Sequence, residues 1–197
     1  MKISRLLVIV AAGLALTNGN AFAQAKNFEG FSIGLNYLIG KTNFTCTSPQ
    51  PQSPFLSVSC AGGSGEDRYV TPQAQYFFLM NDAMILGVGG TYGTGGVSSK
   101  AIFKDYFTLD ITSGYALSEK NLAYGKFSYL GNTAYSSTSG TRVGEGMGIG
   151  LGVRQLFTPN VYVQAEYLYN KFNDVATGIF VEGGTSNALT LGVGYQF

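Results

Sequence analysis

The sequence predicts an all-β protein, an eight-stranded antiparallel up-and-down transmembrane β-barrel with four long loops on one rim and short turns on the other. Three observations carry this. Eight stretches alternate with a period of two, the links between them are by turns long and short, and within a stretch one face is bulky and apolar while the other is rich in glycine. A period of two puts successive side chains on opposite faces of a strand.

Before the first strand, Lys2 and Arg5 precede an apolar run, residues 6–16, and small residues follow at Ala21, Ala23 and Ala25. This is the layout of a cleaved secretory leader, and the run is shorter than the roughly 20 apolar residues that span a bilayer as a helix. The expected division is a signal peptide over residues 1–23 and a barrel domain over residues 24–197, with cleavage after Ala25 as the rival. Losing Lys2 and Arg5 moves the formal charge from +1 to −1, a near-neutral balance that gives no footing for a nucleic-acid partner.

The first strand is the cleanest. Phe31, Ile33, Leu35, Tyr37 and Ile39 share one face; Gly30, Ser32, Gly34, Asn36 and Gly40 share the other, and only Leu38 breaks the second set. Residues 41–67 lose the period, collect Pro49, Pro51 and Pro54, and read as a loop. The second strand covers about residues 68–79, and Asn81-Asp82 turns into a third over 83–93. After a loop at 94–105, the fourth strand sets Phe107, Leu109, Ile111 and Tyr115 against Thr108, Asp110, Thr112 and Gly114. Residues 118–121 link it to a fifth, where Ala123, Phe127 and Tyr129 oppose Tyr124, Lys126 and Ser128. Beyond a loop at 132–141, Met147, Ile149, Leu151 and Val153 oppose Gly148, Gly150, Gly152 and Arg154. Thr158-Pro159-Asn160 turns into the seventh strand, with Tyr162, Gln164, Glu166 and Leu168 on one face. A loop at 170–186 precedes the eighth, where Leu189, Leu191, Val193, Tyr195 and Phe197 oppose Ala188, Thr190, Gly192, Gly194 and Gln196.

A soluble, lipocalin-like barrel also alternates, so the orientation rests on bulk. Glycines and short polar groups fit a narrow lumen of eight strands, and the Phe, Tyr and aliphatic face then meets lipid. Tyr37, Tyr92, Tyr115, Tyr129, Tyr167, Tyr169 and Tyr195 fall near strand ends, where an amphipathic ring suits the membrane interface, although Tyr is common in any strand and Trp is absent. Unpaired backbone groups are not tolerated in hydrocarbon, so residues 187–197 should close the barrel against residues 30–40.

This orientation points Asp110, Lys126, Arg154 and Glu166 into the lumen, two of each sign, and predicts compensating pairs whose partners depend on register. The chain has no His, which removes the usual general base and most zinc sites; no catalytic residue, metal or cofactor is expected. An acid site made by Asp110 and Glu166 is the residual enzymatic reading. Cys46 and Cys60 lie in one loop, and in an oxidising compartment their disulfide would close 15 residues at a gain of roughly 3 kcal/mol. The triplet at Asn43 reads as a chance glycosylation pattern, and Gly62, Gly63 and Gly65 lack the strand, lysine and helix of a phosphate cradle.

Residues 146–172, GMGIGLGVRQLFTPNVYVQAEYLYNKF, resemble the penultimate hairpin of the opacity proteins and related small porin-like surface antigens of Gram-negative outer membranes. Residues 31–40 and 191–197 resemble that group's first and last strands. The resemblance implies an outer-membrane barrel with extracellular loops and periplasmic turns. It also implies insertion by the barrel assembly machinery through Leu191, Val193, Tyr195 and Phe197, in contact with outer-membrane lipids and lipopolysaccharide, as a monomer or weak oligomer; with the last strand ending at Phe197, no further periplasmic module is expected. Roles in the group run from envelope integrity and surface antigenicity to attachment and modest porin activity. The expected function is therefore a structural surface barrel whose loops serve interaction or adhesion to an unspecified ligand; a small passive channel is the alternative, and a lipid-modifying enzyme a third. The cysteine-bearing first loop and the lack of Trp depart from the group's pattern.

Overall fold

Eight strands close on themselves in a single meander, each paired antiparallel with its chain neighbours and the last with the first. They are β1 (Gly30–Thr47), β2 (Gly63–Leu79), β3 (Met84–Thr94), β4 (Phe103–Ala116), β5 (Asn121–Ser136), β6 (Gly140–Leu156), β7 (Val161–Thr177) and β8 (Phe180–Gln196). The structure, a computed structural model, describes residues 25–47, 63–94, 103–136, 140–177 and 180–197. The expected leader, residues 1–23, lies outside the described residues, as do Cys60 and the side chain of Cys46, and with them the expected disulfide.

Closure runs through the ends of the domain as the alternation requires. In the β1–β8 ladder Ser32 faces Gln196, Tyr37 faces Leu191 and Gly40 faces Ala188. Leu191, Val193, Tyr195 and Phe197 lie on the outer wall, while Thr190 and Gln196 are buried in the lumen. The same division holds around the barrel: Leu35, Leu109, Ile149 and Leu151 are exposed on the wall, the last at 74 % of its surface, against 3 % for Asp110. A continuous apolar belt of this extent cannot face water, so it faces lipid. Among the described residues no helix is long and apolar enough to cross a membrane; the strands do so.

All three short connections use one device. Asn81 Oδ1 accepts from the N–H groups of Ala83 and Met84 at 3.0 and 2.9 Å. Ser118 Oγ does the same for Lys120 and Asn121 at 3.3 and 3.1 Å, and Thr158 Oγ1 for Asn160 and Val161 at 3.4 and 3.0 Å. A short polar side chain that folds back on the next residues satisfies donors the turn leaves free. The residue before each of these, Met80, Leu117 and Phe157, is an exposed apolar group at the end of an even-numbered strand, and Phe197 is the fourth of the set.

The strands run farther than alternation alone predicts. Much of the stretch expected as a fourth loop, 170–186, is a paired hairpin reaching Thr177 opposite Phe180, and the first is narrowed by β1 continuing to Thr47 and β2 beginning at Gly63. Beyond the lipid both faces of a strand meet water, so the hydrophobic period fades while the hydrogen-bonded ladder continues. The β2–β3 ladder ends early, at Gln73 opposite Thr91, beside Pro72, which has no N–H to extend it.

Two apolar clusters fill the lumen at different heights. One, near the short turns, gathers Phe77, Ile85, Ala116, Leu122, Tyr124, Leu156 and Tyr162 with Ala25 and Phe28 of a single 3₁₀ turn, Ala25–Phe28, that precedes β1. The other, toward the long hairpins, gathers Leu38, Tyr69, Tyr106, Leu130, Leu168, Phe172 and Ala188. The charged residues lie between them.

The lumen as candidate functional site

Lys126 is the centre of the polar layer. Its Nζ stands 2.7 Å from Glu166 Oε2 and 3.6 Å from Asp110 Oδ2, with all three side chains buried. Asp110 also accepts from Ser128 Oγ at 2.6 Å and from Thr108 Oγ1 at 3.0 Å, and Glu166 accepts from the Tyr124 hydroxyl at 3.0 Å. Each carboxylate therefore has both the ammonium and neutral donors, which is what makes a buried ion tolerable.

Register explains why these groups meet. Ser128 lies directly opposite Asp110 across β4 and β5. Lys126 and Glu166 are on β5 and β7, separated by β6, whose inward positions there are Gly150 and Gly152, paired with Lys126 and Glu166 respectively. A Cβ at Gly152 would run into the Tyr124 ring, and one at Gly150 would come within 2.6 Å of Leu168 Cδ2. The glycine face of β6 is thus a floor across which side chains of the two flanking strands touch.

Arg154 does not join this group. The sequence expectation of two acid–base pairs is corrected: one lysine holds both carboxylates, and among the described contacts the arginine is held by amides. Its Nη2 donates to Gln75 Oε1 at 2.5 Å and Gln164 Oε1 at 2.8 Å, and the guanidinium lies 3.9 Å from the Tyr162 ring centroid and 4.8 Å from that of Phe77. Gln164 passes the network on, donating to Asn36 Oδ1 at 3.0 Å and Gln73 Oε1 at 2.6 Å, and Asn36 Nδ2 donates to the same Gln73 oxygen at 2.9 Å. A flat, delocalised cation that stacks on rings and donates to two amides from one nitrogen suits this setting, where an ammonium would not. The four ions still sum to zero inside the barrel.

The layer has almost no free space. One void, bordered by Thr71, Tyr106, Lys126, Glu166 and Thr190, measures about 10 Å³, and a second beside Tyr69 and Asn170 is of the same size. Each is about large enough for one water molecule. Tyr106 Oη and Thr190 Oγ1 at the first void have no hydrogen-bond partner among the described residues and would suit such a water. No group of three or more potential metal ligands occurs among the described residues.

Alternation alone did not reveal the two apolar layers. The signal that could have found them is the set of large side chains that break into the glycine face, Leu38 and Leu168 above the ions and Tyr124 and Tyr162 nearer the turns. The Ala25–Phe28 turn gave no periodic signal because it is only four residues long.

A closed meander with a lipid-facing wall and an ion-and-amide plug defines the class of eight-stranded outer-membrane barrels. The sequence matches the family described as outer membrane protein beta-barrel domain over residues 8–197, and the chain belongs to that family. Its place is the outer membrane of a Gram-negative bacterium, among that membrane's lipids. The barrel is similar to the crystal structure of Neisserial surface protein A, at 19 % identity and a TM-score of 0.52, covering 86 % of this chain and 98 % of that one. It is similar also to Ail, the attachment invasion locus protein of Yersinia pestis, at 16 % identity and a TM-score of 0.50, covering 86 % and 99 %. At such identities the likeness is one of fold. No curated protein matches the sequence.

Proposed function

We propose that the protein is a non-conducting barrel that carries its long hairpins rigidly at the cell surface, where they meet an external ligand. The observation that carries this is the filled lumen: two apolar layers enclose an ion and amide layer whose voids are water-sized. A passive channel would need a continuous wet path, and the side chains of Arg154, Lys126, Tyr106 and Phe77 stand across it. Catalysis by Asp110 and Glu166 is disfavoured for a related reason, since one ammonium already engages both and the void beside them, among the described residues, is about the size of one water.

A rigid frame with long hairpins is where recognition residues are placed at low ordering cost. The name of one structural relative, the attachment invasion locus protein, fits such a role. On this reading the first hairpin, tied by Cys46 and Cys60, is the main platform, residues 1–23 are a cleaved leader, the turns face the periplasm, and the protein acts as a monomer or weak oligomer. Leu191, Val193, Tyr195 and Phe197 form the outward set read by the assembly machinery. Lys41 and Lys171 are exposed on the wall two residues beyond Ile39 and Tyr169, and on this reading they meet lipopolysaccharide phosphates. Lipopolysaccharide co-purifying as well with the double Gln variant of these lysines as with the wild type would remove that contact.

Planar-bilayer recording of the refolded protein tests the main reading. Silence from a barrel shown folded by its heat-modifiable gel migration is the expected result; reproducible unit conductance would establish the channel instead.

A further inference from the structure

Two overlapping Ala-x-Ala sites, Ala21-Phe22-Ala23 and Ala23-Gln24-Ala25, fit a leader-cleaving protease, and the sequence prefers the first with the second as its rival. The fold gives a physical reason for that preference. Ala25 and Phe28 are fully buried in the mouth of the barrel at the short turns, against Phe77, Ile85, Ala116, Leu122, Leu156 and Tyr162, one side chain from each of six successive strands. The Ala25 N–H donates to the Asp82 carbonyl in the first turn at 2.8 Å, and Asn27 Nδ2 donates to the Glu119 carbonyl in the second at 3.0 Å. Gln196 of β8 donates through Nε2 to the carbonyls of Asn27 at 2.7 Å and Glu29 at 3.1 Å. Gly30 makes the bend from mouth to wall: its φ of 115° belongs to glycine, and a Cβ there would lie 2.9 Å from the Phe197 carbonyl oxygen.

From this we infer that the leader is removed between Ala23 and Gln24, and that residues 25–29 then fold back as a cork that seals the periplasmic mouth and latches the β1–β8 seam. The step is hydrolysis of one amide: water adds, Ala23 leaves with the carboxylate, and Gln24 keeps the new α-ammonium. Cleavage after Ala25 would instead discard a buried methyl group and a hydrogen-bonded N–H, and would leave a second charge on Lys26 at the edge of an apolar layer. Cleavage register thereby decides whether the barrel is corked. The inference rests on the leader reading under Proposed function.

Peptide mass spectrometry of the protein extracted from outer membranes reads the new N-terminus, whether or not an N-terminal glutamine has cyclised. Gln24 is the expected first residue. A chain beginning at Lys26, or at any other new terminus, overturns the inference but leaves the leader reading standing, whereas a chain that keeps Met1 overturns the leader reading itself. The cork has its own test in chains refolded to begin at Gln24 or Lys26, with Phe28→Ala in the longer chain as a second variant. Loss of one buried hydrogen bond and one buried methyl predicts that the Lys26 chain unfolds about tenfold faster, and Phe28→Ala faster still. Equal unfolding rates for all three would show that the segment seals nothing.

Discussion

Lys126 is the residue on which the lumen depends most. Replaced by Met, it leaves Asp110 and Glu166 buried with hydroxyl donors but no countercharge, and breaking such a group from one side costs about 3–5 kcal/mol. Urea unfolding of Lys126→Met in detergent should show a loss of that order; a change below about 1 kcal/mol, the range of an exposed pair, would mean that the ions are hydrated rather than packed. Gly152 makes a parallel case by volume. Gly152→Val puts a branched side chain where the Tyr124 ring lies, so the hydroxyl that serves Glu166 is displaced with it, and overpacking of this kind costs about 1–3 kcal/mol. Pairing the substitution with Tyr124→Ala should recover part of the loss; no recovery would show that the ring is not what a side chain at 152 meets. The role of glycine at 150 and 152 was only half legible in the sequence. The pattern showed a small face, but which neighbours would lean across it depended on register, and for the same reason Arg154 was expected beside a carboxylate and lies between two aromatic rings.

At the scale of the element, facing was legible and length was not. A side chain that changes face at every step writes its exposure into the sequence wherever one face meets lipid, and this held along the described strands from Phe31 in β1 to Tyr195 in β8. Past the lipid both faces are wet, so nothing in residues 170–186 distinguished a paired hairpin from a loop. Facing gives a sharp expectation for β8. Val193→Lys on the lipid wall should cost about 2–4 kcal/mol if it lies near the bilayer midplane, whereas Thr190→Val, buried and without a described partner, should cost far less. Folding titrations into lipid vesicles compare the two, and equal penalties would contradict the assigned faces. The turns carry a smaller prediction: Asn81→Ala and Thr158→Ala each remove two turn hydrogen bonds and should lower stability by about 1 kcal/mol.

For the whole molecule, the account joins an apolar outside to a packed inside, and each half requires the other. A wall of Leu, Ile, Phe and Tyr is stable only in lipid, and a lumen of eight strands under that wall is narrow enough for side chains to fill. The resulting frame is closed and stiff, which suits a protein whose working surface is its hairpins rather than its interior. The sequence contains no Trp, so a single introduced Trp reports its own surroundings without background. Leu109→Trp, Leu151→Trp and Val193→Trp, placed on β4, β6 and β8, should each be strongly quenched by brominated lipid chains and little affected by aqueous iodide. Iodide quenching at these positions, with none from the brominated lipid, would contradict the orientation on which the rest of the account stands.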